Sequence, residues 1–260
     1  MPTVTLLSIF TLLACGTDHK EKETRLQERT SPSAQTTNKD YNTVNGVDEK
    51  IEDADNNEDN NSVRVVVNPT STAVLVNKHF TLPESYAPSD LVYPDVPFIF
   101  NEKIEKRMLR REAAEALKQL VAGAKADGIY IAGVSGYRSY ATQKALFNAY
   151  VEKDGIEKAR TYSAVPGTSE HETGLAIDVS GSTGRCAAQD CFADTKEATW
   201  LAKHSAEYGF IIRYPKGKEA ITGYQYEPWH IRYVGKKVAQ EINNQGSTLE
   251  EYLDEVPVSE

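Results

Sequence analysis

Apolar positions are sparse and without period from Gly16 to about Ser62, and they become regular only beyond that point. VRVVV, beginning at Val63, and TAVLVNK read as β-type runs separated by the turn-prone NPTS. TLPESYAPSDLVYPDVP follows, and its prolines make it a strap across a domain surface rather than an element. Over residues 102–127, Ile104, Met108, Ala114, Leu117, Leu120, Val121 and Ala124 recur at helical spacing, and Gly128 suits the stop. IYIAGVSG then reads as a strand. A second helix is expected over 140–153, closed by Asp154 and Gly155. GLAIDVS is a strand, 195–208 a helix ended by Gly209, and FIIRYP and WHIRYVG are strands. A helix over 236–243 and a short one with Ser247 and Glu250 as a capping box finish the chain. Helices and strands mix without a βαβ repeat, so the expected class is α+β, a small antiparallel sheet flanked by helices.

Charge separates the tail from this body. The formal net charge is -9, yet residues 16–63 hold twelve Asp or Glu against six Lys or Arg. That segment cannot bury enough apolar area to offset its ordering entropy, and it is expected to be a disordered acidic tether. No cluster of Lys and Arg exists to neutralise phosphates, which excludes nucleic acid as a partner. VTLLSIFTLLA, residues 4–14, is short for a membrane span and reads as an export signal, although no Lys or Arg precedes it. Leu12, Leu13, Ala14, Cys15 and Gly16 resemble a bacterial lipobox. On that resemblance residues 1–15 are a lipoprotein signal and Cys15 is lipidated, tying the protein to the outer face of the cell membrane. An ordinary signal peptide or short anchor with an incidental cysteine is the alternative. Residues 64–260 are left as the functional domain.

Two segments carry chemistry. SEHETGLAID, from Ser169 to Asp178, sets an imidazole and a carboxylate seven residues apart around Gly174. Strand alternation puts Ala176, Asp178 and Ser180 on one side and Leu175, Ile177 and Val179 on the other, so Asp178 interrupts an apolar strand and needs a partner. EPWHIRY places Glu227 three residues before His230 at the start of another apolar strand. A catalytic zinc commonly takes three protein ligands and keeps a position for water. His171, Asp178 and His230 supply such a set, and Glu227, as a carboxylate that is not a ligand, can accept the proton of water. Arg138, in GYRS after the IYIAGVSG strand, can reach a cleft and bind a terminal carboxylate or a developing oxyanion. Glu170 and Glu172 either support His171 from behind or face solvent. Cys186 and Cys191 favour a disulfide in an exported protein; a pair of metal ligands is the other reading. His204, His79 and His19 have bland settings, Trp229 reads as packing or pocket wall, and no serine nucleophile elbow or phosphate loop is present.

Four ordered blocks resemble the zinc-dependent D-alanyl-D-alanine carboxypeptidases, in the branch with vancomycin-resistance-type D,D-carboxypeptidases and L,D-carboxypeptidases. They are SGYRSYATQ at 135–143, PGTSEHETGLAIDV at 166–179, YGFIIRYP at 208–215 and EPWHIRYVG at 227–235. The resemblance spans about residues 75–240. It implies one Zn2+ per chain in a surface cleft, held by His171, Asp178 and His230, with Glu227 as general base and Arg138 facing substrate. Gln143, Ser169 and Tyr162 fall near the substrate. The implied reaction removes the terminal D-alanine from peptidoglycan stem peptides, at a D,D or an L,D bond, outside the cytoplasm and as a monomer. A zinc-stabilised wall-binding module without catalysis is the alternative, and Glu227 argues against it.

Overall fold

The computed structural model describes residues 63–256. The expected signal, the lipidated Cys15 and the tether as far as Ser62 lie outside the described residues. No described helix is long and apolar enough to cross a membrane.

The strands are β1 (Arg64–Val65), β2 (Phe80–Thr81), β3 (Leu91–Val92), β4 (Leu109–Arg110), β5 (Ile131–Ser135), β6 (Ala176–Gly181), β7 (Phe210–Ile212) and β8 (His230–Tyr233). The helices are α1 (Arg111–Ala126), α2 (Tyr140–Asp154), α3 (Ile156–Tyr162), α4 (Lys196–His204), α5 (Glu219–Thr222), α6 (Lys236–Gln245) and α7 (Leu249–Tyr252). The central sheet has four strands in the order β5-β6-β8-β7, and every pairing in it is antiparallel. The α+β class and the small antiparallel sheet are therefore as expected.

Alternation across this sheet divides its side chains by chemistry. Ile177 and Val179 of β6, Ile231 and Tyr233 of β8 and Phe210 of β7 join the main core with Leu117, Leu120 and Ala124 of α1. Asp178, His230 and Arg232 fall at the intervening positions, beside Ile211, which packs in a second cluster with Ala239, Ile242 and Leu249. One face thus anchors the sheet, and the other presents polar groups to a cleft and to a sealed interior.

Several boundaries differ from the sequence reading, each for a tertiary reason. The helix expected from 102 starts at Arg111, because residues 105–110 are claimed elsewhere. The carbonyls of Lys106 and Met108 accept from the amides of Gly136 and Tyr137 at 2.6 and 2.8 Å, and the Arg110 amide donates to the Gly174 carbonyl at 2.8 Å. A helix there would leave the loops on both sides of the site without these backbone partners. TAVLVNK is buried at Val74, Leu75 and Val76 but forms no ladder, since the Thr72 and Val74 carbonyls accept from Arg232 instead. The helix expected over 195–208 is α4 followed by a 3-10 turn, Ser205–Tyr208. α3 was not expected. The C-terminal capping box uses Thr248 and Glu251, one residue beyond the Ser247 and Glu250 pair.

Candidate metal centre

His171 lies on a 3-10 turn, Glu170–Thr173, that ends at Gly174 with φ 67° and turns directly into β6. That left-handed backbone suits glycine, and a Cβ there would also meet Arg110 and Leu91 side chains at 3.0 Å. The His171 ring is oriented from behind: Nδ1 is 2.8 Å from the Gly136 carbonyl. Gly136 must itself be glycine, since an added Cβ would lie 2.6 Å from the Met108 carbonyl. With Nδ1–H donating, Nε2 is left free, 3.4 Å from Asp178 Oδ2.

Asp178 and His230 are directly opposite one another in the β6–β8 register. His230 Nδ1 lies 3.1 Å from Asp178 Oδ1 and 3.6 Å from Glu227 Oε2. One ligand atom from each of His171, Asp178 and His230 falls within 4.8 Å of the others, and all three residues are buried. Asp178 Oδ1 has no hydrogen-bond partner although it is buried. A close set of two imidazole nitrogens and a carboxylate, with an orphaned oxygen among them, fits a divalent metal of the zinc type.

The electrostatics agree with a cation site. Burial works against the charged form of Asp178, but His171 and His230 outweigh it and hold the carboxyl well below the usual range. Burial lowers His171. Burial would also lower His230, yet the facing carboxylates of Asp178 and Glu170 push it up to about 10. Glu227, with 27% of its side chain exposed, is raised to about 7 by burial, against the pull of His230 and with the added repulsion of Asp178 and Glu170.

These groups border a cleft of roughly 320 Å³ whose walls include Arg138, Tyr162, Ser169, Ala188, Tyr214 and Trp229. Arg138 lies in the loop 136–139 between β5 and α2, and its Nη1 donates to Gln143 Oε1 at 2.8 Å. Gln143 is fully buried behind Arg138 and donates to the Ala164 carbonyl at 2.6 Å. It holds the Arg138 guanidinium in place. Ser169 is buried in the wall. Tyr162 is 46% exposed at the rim, where its hydroxyl donates to Asp154 Oδ2 at 2.7 Å and is raised to about 12 by that bond. Cys186 and Cys191 are joined, with Cα atoms 5.6 Å apart, and close a loop that brings Ala188 to the cleft. Trp229 is both core and wall. His204 pairs with Glu207 on the surface.

Sequence reasoning left Glu170 and Glu172 open, and the structure buries both. Glu172 Oε1 accepts from the Gly167 amide at 2.9 Å and so secures the loop that bears Ser169. Glu170 lies behind His230, between two arginines. The signal that could have found it is Arg213 and Arg232, two charges inside apolar strands that require a buried counter-charge.

Residues 106–236 match the family model VanY, D-alanyl-D-alanine carboxypeptidase. The chain belongs to this family, and it is an enzyme of the carboxypeptidase type. It is 50% identical over 194 residues to YodJ of Bacillus subtilis (strain 168), covering 75% of this chain and 71% of that one. It is 37% identical over 188 residues to the bifunctional D-Ala-D-Ala dipeptidase and D-Ala-D-Ala carboxypeptidase VanXYC of Enterococcus gallinarum, covering 71% of this chain and 94% of that one. Among solved structures, the LdcB LD-carboxypeptidase is 50% identical, covers 75% of this chain and 91% of its own, and superposes with a TM-score of 0.72.

Proposed function

We propose that the protein is a zinc-dependent carboxypeptidase that removes the terminal D-alanine from peptidoglycan stem peptides, with His171, Asp178 and His230 holding one Zn2+. The observation that carries this reading is the convergence of those three buried ligand atoms beside Glu227, a carboxyl raised to about 7. Zinc in such a site supplies Lewis acidity that brings water toward a pKa of about 7. Glu227 accepts a proton from the attacking water and returns it to the leaving amine, a task suited to a group that exchanges protons near neutrality. Arg138, fixed by Gln143, binds the substrate's terminal carboxylate or the developing oxyanion. Ser169 and Tyr162 line the approach.

The bond cut is the L,D bond of a tetrapeptide on this reading, favoured by the higher identity to LdcB, 50%, than to VanXYC, 37%. Residues 1–15 act as a lipoprotein signal, and Cys15 carries the lipid that holds residues 64–260 outside the cytoplasm at the end of the 16–63 tether. Mass spectrometry of tetrapeptide and pentapeptide stems incubated with the zinc-loaded protein tests the reaction. Loss of one D-alanine from the tetrapeptide is expected; release from the pentapeptide alone reverses the bond assignment, and release from neither leaves a wall-binding module.

A further inference from the structure

Behind His230, two carboxylates and two guanidiniums are enclosed together. Glu170 Oε1 accepts from Arg213 Nε at 2.7 Å and from Arg232 Nη1 at 2.6 Å, and all three side chains are 0% exposed. Arg213 also donates Nη1 and Nη2 to Glu250 at 2.9 and 2.7 Å, and Glu250 accepts from Asn77 Nδ2 at 3.0 Å. Arg232 Nη2 donates to the carbonyls of Thr72 and Val74 at 3.0 and 2.8 Å. The one carboxylate oxygen of Glu170 that the arginines leave free, Oε2, lies 3.5 Å from His230 Nε2. Both atoms are buried, and neither has a hydrogen-bond partner, so each is the nearest polar group of opposite kind for the other.

Stability alone does not account for this cluster, because well-packed apolar residues serve as well or better than buried ion pairs. Geometry gives it a task. His230 turns Nδ1 toward Asp178 and Glu227, so Nε2 is the nitrogen left to meet Glu170. We propose that Glu170 is the positioning residue of His230: its carboxylate accepts the Nε2 proton and so fixes the tautomer whose Nδ1 lone pair faces Asp178 and His171. This rests on the reading of those three residues as metal ligands. The guanidiniums prevent Glu170 from turning away. Asn77, Thr72, Val74 and Glu250 all lie outside residues 106–236, so the TAVLVNK segment and α7 brace the centre from beyond the segment that the family model matches.

Co2+ titrations of the full chain, followed by visible absorption, compare the wild type with Glu170→Gln and Glu250→Gln. In Glu170→Gln both arginines claim the amide oxygen, so the amide NH2 faces Nε2 and favours the opposite tautomer. Co2+ affinity should fall about 10- to 100-fold, with a changed absorption band and an unchanged near-ultraviolet circular dichroism spectrum. Glu250→Gln removes the same charge from Arg213 without touching His230, and should lose much less affinity. Equal affinity in Glu170→Gln and wild type, or equal losses in the two variants, overturns the proposal. If Glu170→Gln does not fold, long-range 1H–15N spectra of the Zn2+-loaded wild type decide: a protonated Nε2 on His230 supports it, a bare Nε2 overturns it. A wild type that binds no Co2+ removes the metal-site reading itself.

Discussion

Glu170 and Glu227 approach the same imidazole from opposite sides. Glu170 Oε2 is 3.5 Å from His230 Nε2 and Glu227 Oε2 is 3.6 Å from Nδ1. Burial opposes ionisation of Glu170, but Arg213, Arg232 and His230 outweigh it and hold the carboxyl well below the usual range. Burial also acts on Glu227, but only His230 pulls it down, while Asp178 and Glu170 push it up, and it reaches about 7. One side chain is held ionised and the other is raised toward neutrality, although both are glutamates at similar distances from one ring. Neighbours, not residue type or distance, divide the roles, which is how paired carboxyl groups come to do different work.

Exchanging charge for an amide at each position should separate these roles most sharply. Glu227→Gln is expected to lower kcat by about a hundred- to ten-thousand-fold, with metal affinity nearly that of the wild type. Stem-peptide hydrolysis and metal titration on the same preparation check both halves. A Glu227→Gln enzyme with more than a tenth of the wild-type rate would remove Glu227 from the proton transfer. Chelation should abolish activity in the wild type and added Zn2+ should restore it, since only the loaded centre can activate water.

The arginines repeat the contrast with a smaller effect. Arg213→Met leaves Glu170 and Glu250 inside the protein with a guanidinium missing, and should destabilise the fold by about 3–5 kcal/mol. Arg138→Met, on the cleft side, leaves only the Gln143 carbonyl oxygen without its partner, at a cost of about 1–2 kcal/mol, while kcat/KM falls. Urea unfolding of both variants measures the difference. Equal losses would mean that the sealed side of His230 is no more dependent on its charges than the open side.

The two sides also differ in how far the sequence revealed them. His171, Asp178, His230 and Glu227 stand out because each is a chemistry-bearing residue set against an apolar strand or a glycine turn, and strand alternation alone assigns Asp178 its face. The sealed side is built from long-range pairs, such as Arg213 with Glu250 and Arg232 with the Thr72 carbonyl, which no local period encodes. The same cause explains the errors in the fold. STLEE contains two overlapping Ser/Thr-x-x-Glu frames, and Thr248 with Glu251 form the box because Glu250 is committed to Arg213 and Asn77. The helix over 102–127 has the right apolar spacing, but the backbone of 106–110 serves the loops around Gly136 and Gly174.

Glu251 completes the comparison as a carboxylate held ionised without a sealed surround. Its side chain is 27% exposed, and hydrogen bonds from Lys218 at 2.8 and 3.0 Å lower its pKa, with burial opposing and the Thr248 amide assisting. Because the folded value lies below the unfolded one, this contribution is complete above the unfolded pKa and is lost as pH falls through the folded value. Glu251→Gln should therefore cost about 0.5–1 kcal/mol near neutrality, the range of a partly exposed ion pair. The gap between variant and wild type should close on acidification. Urea midpoints at neutral and acid pH measure it. A gap that persists after the carboxyl is protonated would show that Glu251 works through its capping geometry, and would leave enclosed charge as the feature peculiar to Glu170.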